Sequence, residues 1–226
     1  MQTTLAFDVY GTLIDTNGVV AALQKLVNDD AQKFSQTWRD KQLEYSFRRA
    51  LMQNYQSFAV CTSQALDYTC AFYKVSCTDA QKAELLGIYR VLPAFSDVKE
   101  GLTQLKAAGF RLYAFSNGKA DALEMLLDNA AIRDLFLGVV SVDDIKTFKP
   151  SPGTYCHFLR QAEATGSSAW LISSNPFDVI GAISAGMKSV WLCRSPGAVF
   201  DPWGTDPTIT VKNLLELDEK ISAYSL

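Results

Sequence analysis

Thr4-Leu5-Ala6-Phe7-Asp8-Val9-Tyr10-Gly11-Thr12 is the stretch that decides the fold. Thr4–Phe7 has the composition of a buried strand, and Asp8 ends it. Gly11 and Thr12 then supply a tight turn with exposed backbone N–H groups and a hydroxyl. A carboxylate at the end of a buried strand loses water, which is costly unless donors surround it. Taken alone, Asp8 is open to three readings: a metal ligand, a nucleophile, or a structural residue capping its own turn.

Working outward, the chain changes texture twice. Between Asn17 and Leu92 the pattern is helical, with almost no strand signal. Leu23, Leu26 and Val27 form an i, i+3, i+4 stripe, and further helices are predicted near Gln36–Met52 and Ser63–Val75. Thr78-Asp79-Ala80-Gln81 fits a capping box that starts a fourth helix, and Pro93 closes the block. From Phe95 onward strands and helices alternate. Ser96 is expected to cap a helix stopping at Gly109, and strands are expected at Phe110–Phe115, Gly138–Ser141, Trp170–Ser173, Ser189–Cys193 and Thr208–Val211. Helices are predicted over Asp121–Ala131, over Pro152–Ala164, from Phe177 to Gly186, and at the C-terminus. Such alternation implies right-handed βαβ units and a parallel sheet. The fold class is therefore α/β, a Rossmann-like core (1–15 and 94–226) with an all-helical insert (16–93).

Composition narrows the function. The chain has 226 residues, 48% of them hydrophobic, and a net charge of −3, enough to bury a large core without staples. A pI near 5.2 and the lack of a Lys/Arg cluster speak against a nucleic-acid or anionic-membrane partner. No apolar run approaches the ~20 residues of a membrane helix, and the opening stretch does not read as a signal peptide. Five Cys without a CxxC spacing are read as reduced thiols of a cytoplasmic protein. The single histidine, His157, excludes a zinc site built on several His and is read as structural. Catalysis has to run on carboxylates, lysine, arginine and hydroxyls.

Ligands of an open parallel sheet gather at the carboxyl ends of its strands. Asp8 ends the first strand, Ser116-Asn117-Gly118 the second, and Ser173-Ser174-Asn175 a later one, with Asp178 three residues on. Lys149-Pro150 lies in a loop of the same edge. With four polar clusters converging, the functional reading of Asp8 prevails over the capping one, and Lys149 is a natural ion partner.

Phe7-Asp8-Val9-Tyr10-Gly11-Thr12-Leu13 resembles the first motif of the haloacid dehalogenase superfamily. Ser116-Asn117-Gly118, Lys149-Pro150 and Ser173–Asp178 resemble its second, third and fourth motifs, in order and spacing. The helical insert stands where that superfamily carries a cap. Tyr10, the segment Trp38-Arg39-Asp40-Lys41-Gln42-Leu43-Glu44-Tyr45, and the Ser-Ser-Asn…Asp fourth motif are similar to the L-2-haloacid dehalogenase branch.

The resemblance implies hydrolysis of short L-2-haloacids to D-2-hydroxyacids and halide through an aspartyl ester at Asp8. Ser116 and the backbone N–H groups after Asp8 are implied to hold the substrate carboxylate. Arg39 and Asn117 receive the halide; the guanidinium is always charged and weakly hydrated. Lys149 keeps Asp8 ionised and positioned, while Asp178, steered by Ser173 and Asn175, is the base for the hydrolytic water. Thr12 and Tyr155 support these groups, with Tyr155 counted in the substrate site. Tyr10, Leu43, Phe58 and Phe177 form an apolar wall. Read without the family, Arg39 is better taken as a solvated surface cation, Tyr155 fits ordinary core, and Phe58 fits core nearly as well as pocket wall.

Phosphatases of the superfamily place a second Asp where this chain has Tyr10, and they need magnesium, which wants several oxygen ligands. Halide leaves without a proton, and the fourth cluster offers only one carboxylate, so no metal and no cofactor are expected. A homodimer is implied by the resemblance alone. The alternatives are a metal-dependent phosphatase of the same superfamily, or a non-catalytic binding module on this fold. Two departures from the branch, Asp40 after Arg39 and Phe177 in the fourth motif, are expected to bear on substrate range. An added carboxylate at Asp40 would repel anions.

Overall fold

The computed structural model describes residues 2–224. Six strands form one parallel sheet in the order β3-β2-β1-β4-β5-β6. They are β1 (Thr4–Phe7), β2 (Arg111–Ser116), β3 (Gly138–Ser141), β4 (Ala169–Ser173), β5 (Lys188–Leu192) and β6 (Ile209–Val211). β1 is central: Phe7 pairs with Ala114 on one side and Ile172 on the other. The chain therefore fills one half of the sheet before it crosses to the other, and the crevice at that reversal lies above the carboxyl end of β1.

Strand alternation divides the core between the two faces. Leu5, Phe7, Leu112 and Ile172 join one cluster of buried side chains, while Ala6, Phe115 and Leu171 join the other. The flanking helices are α5 (Val98–Ala107), α6 (Ala120–Asn129), α7 (Pro152–Gln161), α8 (Pro176–Ser184) and α9 (Leu217–Tyr224). Asp97, not Ser96, stands at the N-cap of α5, and its side chain does not bond the helix. Its carboxylate accepts instead from Arg194 and from the Leu214 backbone N–H, at 2.6 and 2.7 Å, tying the C-terminal segment to the core.

The insert folds as α1 (Val20–Val27), α2 (Ala31–Leu51), α3 (Phe58–Phe72) and α4 (Asp79–Ile88). The capping box of Thr78 and Gln81 starts α4 as the sequence predicts. α2 begins five residues before the sequence-based start and α3 also begins five early, after Ser57 in extended backbone without a side-chain cap bond. Those starts carry no capping signature. The end of α3 is equally silent, because Lys74, not a glycine, takes the left-handed conformation (φ 56°) there. α2 packs along α3, and the Trp38 indole N–H donates to the Thr62 carbonyl at 2.8 Å.

The chain leaves the sheet and returns to it through two adjacent segments. The Asp15 N–H donates to the Pro93 carbonyl (2.8 Å), and the Phe95 N–H donates to the Leu13 carbonyl (3.0 Å). The insert then leans over the crevice. Phe47 meets Phe177 edge-on at 5.0 Å, Tyr55 stacks on Phe148 at 5.0 Å, and the Tyr55 hydroxyl donates to Asp143. Among the described residues no helix is long and apolar enough to cross a membrane.

Candidate active site

Asp8 emerges from β1 with its backbone N–H still held by the Ile172 carbonyl at 3.0 Å, so the strand fixes its position. Gly11, at φ 82°, allows the turn that brings Thr12 back beneath it. Oδ2 of Asp8 accepts from the Thr12 hydroxyl and from the Asn175 amide, both at 2.8 Å. Oδ1 accepts only a longer bond of 3.3 Å from Lys149. Oδ1 is thus the less committed oxygen.

Lys149 is 1% exposed, and Asp178 is fully buried. The Lys149 ammonium donates to Asp8 Oδ1 at 3.3 Å, Asp178 Oδ2 at 2.9 Å and the Phe115 carbonyl at 2.8 Å. An ammonium has three protons, and each has an acceptor. Its backbone N–H donates to Asn117 Oδ1 at 3.0 Å, which leaves the Asn117 NH2 as the donor available to a ligand.

Asp178 is positioned differently from its sequence-based assignment. Ser173 and Asn175 do not hold its side chain; the Tyr155 hydroxyl donates to Oδ1 at 2.8 Å, and Lys149 takes Oδ2. Ser173 accepts from the Asn175 N–H at 3.1 Å and so shapes the turn, while Asn175 reaches Asp8. The approach of α8 to Tyr155 depends on Gly181, where a Cβ would collide with the Tyr155 hydroxyl and Pro150. Burial raises the Asp178 carboxyl above its ordinary range, opposed by the Lys149 charge and reinforced by that of Asp8. Burial also pushes the Tyr155 phenol well up.

The cavity over Asp8 is lined by Tyr10, Arg39, Leu43, Phe58, Ser116, Asn117, Lys149, Asn175 and Phe177. Thr12, Ser173, Tyr155 and Asp178 lie behind this wall. Tyr155, counted with the substrate site from the sequence, does not line the cavity: its hydroxyl is spent on Asp178. The Ser116 hydroxyl accepts from the Gly118 N–H at 3.3 Å and keeps its own proton to donate. Tyr10 is pushed up to about 12 by burial and by the neighbouring Tyr89 phenol, against the Arg39 charge, so it stays neutral and serves as wall.

Arg39 comes from α2 and donates to the Tyr10 carbonyl at 3.3 Å and to Gln42 Oε1 at 2.8 Å. Asp40 turns the other way. It is exposed and accepts from Gln36 at 2.8 Å, one turn back along the outer face. The repulsion expected from it is absent at the cavity. His157 is buried on α7, 3.5 Å from Asp144, and takes no part in the cavity.

The sequence reading missed several supports. Gln42 passes its amide to the Thr62 hydroxyl, which donates in turn to the Phe58 carbonyl at 2.8 Å. The Ser174 hydroxyl donates to the Gly11 carbonyl at 2.7 Å. Arg194 grips the Thr12 carbonyl with Nε at 3.1 Å and Nη2 at 2.8 Å. Spacing could have flagged Gln42, which shares a helix face with Arg39 at i, i+3; nothing local flags Arg194.

For a cation, this donor set is a poor host. Asp8 and Asp178 already share one ammonium, and Asn175 turns its NH2 rather than its carbonyl to Asp8. Among the described residues, no group of three His, Cys, Asp or Glu is placed to hold a metal ion.

A strand-end aspartate, clamped by a buried lysine under an inserted helical segment, defines the class: an α/β protein with a carboxylate at the centre of its site. Comparison with known proteins gives the family. The haloacid dehalogenase-like hydrolase profile matches residues 3–186, and the chain belongs to that family. It is 36% identical to haloacetate dehalogenase H-2 of Moraxella sp. (strain B) over 207 residues, 92% of each chain. It is 35% identical to the (S)-2-haloacid dehalogenase of Pseudomonas sp. (strain YL) over 211 residues, 93% of this chain and 90% of the relative. Among solved structures, the L-2-haloacid dehalogenase of Xanthobacter autotrophicus with chloropropionic acid covalently bound is 29% identical. It superposes with a TM-score of 0.89 over 98% of this chain and 99% of that one.

Proposed function

We propose that this chain hydrolyses short L-2-haloacids to D-2-hydroxyacids and halide. The observation that carries the reading is the state of Asp8: one oxygen is pinned by Thr12 and Asn175, the other carries only the longer Lys149 bond, and the residue lines a cavity with Arg39 and Asn117. The (S)-2-haloacid dehalogenases among the relatives support it.

In the first step Asp8 Oδ1 attacks C2, the carbon–halogen bond breaks, and the halide departs with the electron pair. Ser116 and the backbone N–H groups after Asp8 hold the substrate carboxylate, and the Arg39 guanidinium and Asn117 NH2 receive the halide. Tyr10, Leu43, Phe58 and Phe177 exclude water around C2. Alignment of the two reactants is worth up to about 7–11 kcal/mol. One displacement at carbon gives inversion. In the second step water adds to the ester carbonyl carbon of Asp8. Asp178 takes its proton, the acyl–oxygen bond breaks, and the departing Oδ1 takes a proton from the Lys149 ammonium to release the hydroxyacid; Asp178 then returns a proton to Lys149. Thr12 and Asn175, which hold Oδ2, are placed to stabilise the oxyanion. The cavity encloses about 10 Å³, room for roughly one water, so the cap wall has to move for substrate to bind.

Residues 1–15 and 94–226 form the core in this reading, and 16–93 the cap. The protein works without metal or cofactor, in the cytoplasm, and as a homodimer, with no nucleic-acid or membrane partner. The neutral Tyr10 in place of a second aspartate supports metal independence. Free cysteines suit the compartment, and the exposed Leu51, Met52 and Phe72 of the cap suit self-association.

Single-turnover hydrolysis of L-2-chloropropionate in ¹⁸O water, with chelator, tests the reading. The first product should carry unlabelled oxygen from Asp8. Label in that first product, or no halide from folded protein, overturns it.

A further inference from the structure

Two larger spaces adjoin the catalytic cavity, and their walls differ in kind. One, of about 440 Å³, meets it at Arg39 and Asn175, both polar. The other, of about 380 Å³, lies on the opposite side and meets it at Tyr10 and Phe58. Beyond those two rings Leu86, Tyr89, Ala122 and Met125 give it a mainly apolar wall, which Gln42, Thr62, Arg90, Lys119 and Asp121 complete with polar groups. The two rings line both spaces and lie 6.2 Å apart between centroids, tilted by 40°. Tyr10 belongs to the loop after β1, whereas Phe58 heads α3 in the cap. Any cap displacement that admits substrate also separates them.

With its carboxylate at Ser116 and its halogen toward Arg39 and Asn117, a bound acid directs its remaining C2 substituent at the apolar wall. The cavity itself has no volume for a chain. We propose that the chamber behind Tyr10 and Phe58 is a tail subsite that takes the alkyl group of 2-haloalkanoic acids longer than propionate. This rests on the dehalogenase reading and extends its substrate class. The polar chamber gives an alkyl chain nothing, since methylenes there would remain against polar groups. In the apolar one, each methylene removed from water is worth about 0.8 kcal/mol, or about fourfold.

The test is a chain-length ladder. For the unaltered protein, kcat/KM should rise from 2-bromopropionate through 2-bromobutyrate to 2-bromohexanoate, by up to about fourfold per methylene. Met125→Trp fills the chamber from a half-exposed position, and Ala122→Trp fills it from within. Either should cut kcat/KM for the hexanoate at least tenfold and leave the propionate within twofold. Ser195→Trp, in the polar chamber, should leave the ladder unchanged. Calorimetric binding of propionate, butyrate and hexanoate, which cannot react, gives the same comparison without turnover. Tighter binding with length that disappears in Met125→Trp supports the subsite even if no halide is ever released. A ladder that falls with each methylene, a ladder untouched by both tryptophans, or one flattened by Ser195→Trp overturns it while the dehalogenase reading stands.

Discussion

The sheet and the cap contribute unequal halves of one site. On the sheet side nearly every polar atom is committed: Lys149 satisfies three acceptors, and Asp8 accepts from three donors. On the cap side Arg39 is braced through Gln42 and Thr62 and shares the cavity wall with the apolar Leu43 and Phe58. The sheet half is preorganised for making and breaking bonds, so it tolerates little change. In the proposed reaction the cap half sets what fits and where the leaving anion rests, and it is adjustable by comparison.

Breaking the sheet half should cost most. Lys149→Met leaves two buried carboxylates facing each other without their cation. We expect halide release to fall by about 10³-fold or more, with a loss of about 3–5 kcal/mol of stability in denaturant melts. A variant that keeps its stability and loses less than tenfold in activity would erase the distinction between the halves. On the cap side, Arg39→Lys keeps the charge but loses the fork, and about a hundredfold in kcat/KM is expected. Gln42→Leu, which removes only the brace, should cost about tenfold. That loss should be larger for chloride than for bromide as leaving group, whereas a merely structural defect would lower both equally.

The pH profile separates the two chemical steps. Asp178 must be ionised to take a proton, and burial has raised its carboxyl. The hydrolytic step should therefore be fully active on the alkaline side of the inflection. It should decline about tenfold per unit below it, at a pH above the ordinary carboxylate range. Quenched-flow measurement of ester decay reads this directly, and an inflection at or below an ordinary aspartate would remove Asp178 as base. The smallest effect belongs to Asp40→Gln, expected within twofold for every halide. Its carboxylate points at Gln36 and solvent rather than at the cavity.

The two halves also differed in how much of them could be read from the amino acids. Apolar runs ending in Asp8, Ser116 and Ser173 mark strand ends by composition alone, so the sheet and its polar edge were legible. Arg39, Leu43 and Phe58 were reached only by resemblance. α2 is polar around most of its circumference, and helical spacing does not say which side faces a crevice. The relay through Gln42 and Thr62 joins two helices, and no local pattern encodes that. The surroundings of Asp178 illustrate a further limit: the resemblance implied Ser173 and Asn175 as its partners, whereas the fold delivers Lys149 and Tyr155 from remote segments.

The paired crossings at Asp15–Pro93 and Leu13–Phe95 make the roof a replaceable part. Because the chain leaves and rejoins the sheet side by side, a different lid spliced there re-registers no strand and has only to rebuild contacts such as Phe47–Phe177 and Tyr55–Phe148. A chimera carrying a foreign lid should inherit its donor's substrate preferences while retaining the recipient's bond-breaking chemistry.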